Sequence, residues 1–286
     1  MASTDPHQYA LNTLLEGIPH EQYLRLEGIN ASGLKEVVRS PAHYKAMADG
    51  EVGDNDTPAK ALGRAAHMAI LEPERFEAGI KPRPSVDRRS AEGKAEHAEA
   101  EELARDQGVE LISRADYDAC CRMRDKVHSV PFLANLLSKG QREATLLYHD
   151  ETFDLPCKVR PDFISAKSIV VDLKTTLDAR AKPFARDIEK YMYHLQAAHY
   201  LAGGEASGIW RADAFVFLAI EKRPPYEIGI YVAGPATLNV GKQWRDYAME
   251  LYAEARRTNE WPGYPRKALT IEVPQWASVP EDVAKL

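Results

Sequence analysis

The stretch RPDFISAKSIVVDLKTT, residues 160–176, decides how the chain is read. Its alternation of apolar and polar side chains is that of a β-hairpin whose strands are joined by the short polar connection SAKS. In the second strand Ile169, Val171 and Leu173 point to one face, and Val170, Asp172 and Lys174 to the other. Asp172 and Lys174 therefore stand side by side, about 7 Å apart along the backbone. Asp162 falls in the last turn of the preceding strand, which the connection brings back beside Asp172. Pro161 is tolerated near a strand end. Two carboxylates and an ammonium then share one patch of sheet. Close carboxylates repel unless something positive lies between them. Mg²⁺ suits such a pair, because it takes one or two carboxylates, waters and phosphate oxygens. The neighbouring lysine orients or deprotonates a water, or stabilises charge on an attacked phosphate, giving phosphodiester hydrolysis. The plain alternative is a surface hairpin with an Asp–Lys ion pair.

Composition bounds the rest. The chain has 286 residues, of which 44% are hydrophobic and 28% charged, enough for a core in one large domain or two small ones. No run approaches the roughly 18 apolar residues of a membrane span. The start, MASTDPHQYALNTLLEG, lacks a basic-then-apolar leader pattern, which predicts a cytoplasmic protein. Cys120, Cys121 and Cys157 fit a reducing compartment and cannot supply the four thiolates of an iron–sulfur cluster. That excludes an iron–sulfur nuclease. The net charge of −6 argues against a general nucleic-acid binder, though not against an enzyme that gathers its basic groups in one cleft.

Along the chain the first 150 residues read as mostly helical. Helices are expected over 29–50, with a Ser32 cap and a restart at Pro41, and over 57–73, with Thr57 as cap. Segment 90–108 reads as a solvated helix, and 113–140 as a long helix broken near Pro131. Segment 50–58 is turn-rich, and 81–93 is polar with two prolines. Strands follow at 142–149, 155–164 and 168–176, then a helix over 185–204 closed by Gly203 and Gly204. Strands at 213–222 and 226–234 and a helix over 236–261 complete the pattern, and the tail has no clear period. This order predicts an α/β or α+β domain: a central mixed sheet flanked by helices, with a helical N-terminal layer. Residues 1–25 read as an N-terminal extension and 26–286 as the domain.

Further motifs fall around the hairpin. Pro161-Asp162, nine residues, then Asp172-Leu173-Lys174 matches the PD-(D/E)xK nuclease signature, with Asp at the acidic position of its second half. Gly63 and His67 form GxxxH on the helix over 57–73, and Gln196 and Tyr200 form QxxxY on the later helix. The ordered set resembles the RecB-like branch of that superfamily, and more of the chain resembles one member group, the nuclease domain of RecE, exonuclease VIII. SGLKEVVRSPAHY, ALGRAAHMAILEPERF, CKVRPDFI, VVDLKTT, YHLQAAHY and TNEWPGY carry the likeness across about residues 25–278.

The resemblance implies a restriction-endonuclease-like core and a Mg²⁺-dependent 5′→3′ exodeoxyribonuclease. Such an enzyme degrades linear duplex DNA from its ends to leave 3′ single strands for recombination by annealing. It implies two Mg²⁺ ions, with Mn²⁺ as a substitute, a homo-oligomeric ring and a RecT-like annealing partner. Asp162 and Asp172 would bind metal with the Leu173 carbonyl and His67. Lys174 would act at the attacking water, and Gln196 and Tyr200 would hold Lys174 and the scissile phosphate. Glu143, read as the start of the strand before the hairpin, is a candidate for a second metal. Arg160, Lys158, Lys35 and Arg39 are candidate phosphate contacts, Arg160 foremost because it shares a strand face with Asp162. In a ring, acidic groups outside and a basic channel inside would account for the net charge. A structure- or site-specific endonuclease and a non-catalytic DNA-binding module are the competing readings. A core role is the plain alternative for His67, Tyr193 and Tyr200, whereas Gln196 is costly to bury without partners. His194 and His199 should point to other faces.

Overall fold

The hairpin forms, but the strands that lead into it break where the acidic residues fall. The structure, a computed structural model, describes residues 9–52, 57–85 and 89–273. Parts of the 50–58 and 81–93 segments, residues 1–8 of the extension and the end of the tail lie outside the described residues.

The N-terminal part runs β1 (Thr13–Leu15), α1 (His20–Arg25), α2 (Ala31–Arg39), α3 (Pro41–Ala48), α4 (Pro58–Leu71), α5 (Pro73–Gly79) and β2 (Ile80–Pro82). It continues through α6 (Ala91–Asp106), β3 (Glu110–Ile112), α7 (Arg114–His128) and α8 (Pro131–Leu136). Then come β4 (Gly140–Arg142), β5 (Thr145–Asp150), β6 (Leu155–Val159), β7 (Phe163–Ser165) and β8 (Ile169–Thr176). The chain ends with α9 (Ala181–Lys190), α10 (Tyr193–Ser207), β9 (Ala214–Glu221), β10 (Ile228–Val232) and α11 (Pro235–Thr258).

The central sheet has the order β10-β9-β8-β7-β4. It is mixed: β8 and β9 are parallel, with Asp172 opposite Phe217 and Lys174 opposite Ala219, and the other pairs are antiparallel. Alternation along β9 fills two cores. Phe215, Phe217 and Ala219 join Val170 and residues of α2, α10 and α11. Val216, Leu218 and Ile220 join Val171, Leu173 and residues of α4, α7 and α8. Each fully buried large side chain contributes about 1.5–3 kcal/mol, so a sheet covered on both faces is rigid enough to place a site.

Several elements differ from their sequence reading. The strand expected at 142–149 is two strands in two sheets, β4 in the central one and β5 in a β1-β5-β6 sheet. The strand at 155–164 likewise divides into β6 and β7. Pro161 supplies no N–H to continue the ladder, and Glu143 takes a left-handed φ of 48°. Glu143 therefore sits in a bend and does not start a strand, and Asp162 lies in the gap between β6 and β7. The two bends are tied by the Glu143 N–H, which donates to the Asp162 carbonyl at 3.0 Å.

Asn30, not Ser32, caps α2, its Oδ1 accepting the Gly33 N–H at 2.8 Å. The helix expected over 185–204 breaks at Met192, and Gly203 and Gly204 do not close it. They lie inside α10, where a Cβ would meet the Tyr148 ring at 2.9 Å and the Trp210 ring at 2.2 Å. Gly208, at φ +67°, ends the helix. The short paired strands β2 and β3 have no counterpart in the sequence reading. Residues 9–25, set apart there as an extension, are joined to the domain. β1 pairs β5, and Ile18, Tyr23 and Leu26 pack with Leu147. Among the described residues no helix is long and apolar enough to cross a membrane.

Candidate active site

The broken strands open a gap in which side chains from α4, the two bends, β8 and α10 converge. His67 stands on α4 one turn after Gly63, whose position faces Thr175 at the end of β8. Its Nδ1 is 3.5 Å from Asp162 Oδ2. Among the described residues His67, Glu143 and Asp162 each offer a ligand atom, all within 4.8 Å of one another. Glu143, expected as a separate upstream acid, thus belongs to the same cluster as Asp162.

Asp162 Oδ2 also accepts the Leu173 N–H at 2.7 Å, which pins the bend to β8. Asp172 lies beside this cluster. Oδ1 accepts from Gln196 Nε2 at 2.9 Å, and Oδ2 is 2.6 Å from Lys174 Nζ. The sequence placed Asp172 and Lys174 on one face, and they form an ion pair there.

Gln196 uses its whole amide. Besides Asp172, Nε2 donates to the Tyr200 hydroxyl at 3.1 Å, and Oε1 accepts from Lys35 Nζ at 3.2 Å. The glutamine expected to hold Lys174 contacts Asp172 instead. Tyr200 is buried one turn later on α10. Tyr193, on the same helix, carries Lys174 Nζ 4.8 Å and Lys35 Nζ 5.3 Å from its ring centroid.

Burial sets the protonation states. It holds His67 down at about 4, with the Lys174 ammonium adding to it, so the imidazole is neutral and free to ligate. It pushes Glu143 up to about 8, helped by the charge of Asp162. It raises Asp162 too, against the pull of Lys174, the Leu173 N–H and Arg160. Burial works against the Lys174 ammonium, but Asp172 and Asp162 outweigh it and hold its pKa above the ordinary lysine value. Lys35 falls to about 7 through burial and then the repulsion of Lys174.

Of the candidate phosphate contacts Lys35 and Arg160 lie at this site. Lys158 is buried, and its Nζ donates to the carbonyls of Tyr23, Leu24 and Leu26 at 3.0, 3.1 and 2.5 Å. It closes the C-terminus of α1 and is not available to DNA. Arg160 is buried as well and donates through Nε to Glu143 Oε2 at 3.0 Å. Arg39 is exposed, 3.8 Å from Glu36. His194 and His199 are buried on α10, with His199 Nδ1 3.4 Å from the Tyr148 hydroxyl. The sequence reading passed over Tyr191. Its signal was the string KYMY (190–193), which crosses a helix break.

A mixed sheet between helices, with Pro161-Asp162 in the break before β7 and Asp172-Leu173-Lys174 on β8, is the arrangement of the PD-(D/E)xK nuclease superfamily. The chain belongs to the family described as PDDEXK-like domain of unknown function, whose model matches residues 30–272. It is similar in fold to a crystal structure from Eubacterium rectale named "Putative exonuclease". The two share 13% identity at a TM-score of 0.56, over 87% of this chain and 91% of that one. No curated protein matches the chain.

Proposed function

We propose that the protein is a Mg²⁺-dependent 5′→3′ exodeoxyribonuclease acting on linear double-stranded DNA and leaving 3′ single strands for annealing. The observation that carries a metal-dependent hydrolase is the cluster of His67, Glu143 and Asp162 beside the Asp172–Lys174 pair. These residues fit a hard cation. A neutral imidazole and carboxylates raised by burial are the groups that a divalent charge would draw into ligation. Asp172 and the Leu173 carbonyl complete the proposed set.

A bound Mg²⁺ would polarise the phosphate and make its water a stronger nucleophile. Asp172 keeps Lys174 as an ammonium, so Lys174 orients the attacking water and steadies charge on the phosphoryl oxygens. It does not start as the base. Gln196 fixes Asp172 against rotation, and Tyr200 fixes Gln196. The RecE resemblance adds the duplex substrate, the polarity, the ring of subunits and the annealing partner to the proposal.

Incubation with a 5′-phosphorylated linear duplex and a closed circle, in Mg²⁺ or EDTA, tests it alongside Asp172→Ala. Digestion of the linear DNA alone, abolished by EDTA and by the substitution, is the expected result. Equal cutting of the circle would assign an endonuclease. No cutting under any divalent metal would refute a nuclease.

A further inference from the structure

The bend between α9 and α10 is built from Lys190, Tyr191, Met192 and Tyr193. Met192 has a left-handed φ of 53°, which a side chain other than glycine adopts at a cost. The bend stands Tyr191 out from the helix at 46% exposure, its ring stacked on Tyr193 at 5.6 Å and 30°. Lys190 Nζ lies 5.1 Å from the Tyr191 centroid. Tyr193 in turn touches both Lys174 and Lys35. A continuous row of rings and ammonium groups thus begins at the hairpin lysine and ends in solvent.

Two features separate this row from ordinary surface aromatics. Trp244 and Tyr247 on α11 are similarly exposed and form an edge pair, but among the described residues no ammonium or guanidinium lies over either ring. Lys35 is half-buried, and its polar contact is the neutral Gln196 Oε1. Among the described residues no carboxylate lies within ion-pair distance of it. Enclosing an ammonium without an anion is unfavourable, and a phosphate diester would supply the missing charge. A tyrosine face beside a cationic groove is the arrangement that holds unpaired bases without regard to sequence.

Resting on the nuclease reading, we propose that Tyr191, Tyr193 and Lys35 form a subsite for an unpaired nucleotide of the DNA substrate, its base on Tyr191 and its phosphate on the Lys35 ammonium. A base inside an intact helix has no free face to offer. The preferred substrate is therefore an end with at least one unpaired nucleotide, frayed or overhanging.

Binding by the full chain in EDTA tests this without cleavage, using a fluorescent linear duplex with an overhanging end or a relaxed, covalently closed circular duplex, which has no unpaired nucleotide. Tyr191→Ala should weaken binding of the overhanging duplex about tenfold, the loss of one base–aromatic stack. It should leave the closed duplex unchanged, and Tyr191→Trp should restore affinity. Lys35→Met should weaken the same binding, flatten its salt dependence by roughly one phosphate contact, and melt no lower than the unchanged protein. Equal binding by Tyr191→Ala, equal loss on both duplexes, or loss in Lys35→Met only through a lower melting temperature would overturn the subsite. Failure of the unchanged protein to cleave in Mg²⁺ would refute the nuclease reading instead. Cleavage with unaltered binding by both variants would refute the subsite alone.

Discussion

Arg160 donates through Nε to Glu143 Oε2 at 3.0 Å, and that bond decides what each residue can do. The guanidinium is buried and lies 5.5 Å from the Tyr23 ring centroid, so it faces inward and not toward a passing DNA strand. Its charge steadies the one carboxylate of the cluster that sits on a left-handed backbone. Arg160→Met should therefore weaken Mg²⁺ or Mn²⁺ binding about 10- to 100-fold, as removal of a partner behind a ligand does. The salt dependence of DNA binding in EDTA should not change. Titration calorimetry for the metal and anisotropy for DNA check the two arms. A shallower salt slope with normal metal affinity would make Arg160 the phosphate contact that its strand position first suggested.

On the proposed function, metal binding would have to displace the proton that burial keeps on Glu143 up to about pH 8, whereas His67, held down at about 4, is already neutral. Affinity should rise from pH 6 to 8 and level beyond, with proton release that shrinks over the same range. The sign for stability follows from the same shift. The folded pKa of Glu143 lies above its ordinary 4.5, so the metal-free fold binds more protons than the unfolded chain between pH 4.5 and about 8. This contribution is fully present below 4.5 and is lost as pH rises through about 8. Thermal melts with and without saturating metal should separate increasingly across this window. A gap independent of pH would remove Glu143 from the ligand set.

How much of this was legible depended on how local the signal was. The Asp172–Lys174 pair was readable because strand alternation is a two-residue rule and both residues lie on one unbroken strand. The bends at Glu143 and Asp162 were not. Both segments are apolar enough to read as continuous strands, and only pairing with different partners reveals that each belongs to two sheets. For that reason Glu143 was misplaced at a strand start, and its place beside Asp162 was invisible. Pro161 was the available clue, read as a tolerated strand end when it marks the break. Charge was misread for a related reason. Lys158 and Arg160 look like solvated cations in sequence, and burial with carbonyl or carboxylate partners emerges only when α1 and the bends fold over them. Gly203 and Gly204 were read as a helix stop, because sequence does not distinguish a glycine needed for a left-handed turn from one needed for close packing.

Lys158 supplies a prediction about the N-terminal residues. Its ammonium donates to three carbonyls at the end of α1, so the first helix is held by a side chain of β6. Last-turn carbonyls lack partners within a helix, and a cation there satisfies them. Lys158→Met removes the side-chain donor from all three carbonyls, leaving Tyr23 with the Leu26 N–H, and should lower stability by about 1–3 kcal/mol. Tyr23 should become accessible, and the salt dependence of DNA binding should stay the same. Urea denaturation, together with proteolysis after Arg25, measures this. Normal stability with weaker DNA binding would return Lys158 to the list of phosphate contacts.

The Asp172–Lys174 pair separates stability from catalysis. Asp172→Asn keeps a side-chain oxygen for Gln196 but leaves Lys174 charged in a site where burial disfavours the ammonium. Breaking a buried pair from one side costs about 3–5 kcal/mol, whereas removing both charges need not. Asp172→Asn should therefore melt well below the unchanged protein, and the double variant Asp172→Asn with Lys174→Met should recover most of that loss. Cleavage should behave differently. Either single substitution should reduce it by roughly a hundredfold or more, and the double variant should be no better, because stability returns without the charges that the proposed mechanism sets on the phosphate. Denaturation and cleavage assays on the same three proteins decide the matter. If the double variant regains activity along with stability, the pair is a structural ion pair and the work on phosphate must be assigned to the cluster of His67, Glu143 and Asp162 alone.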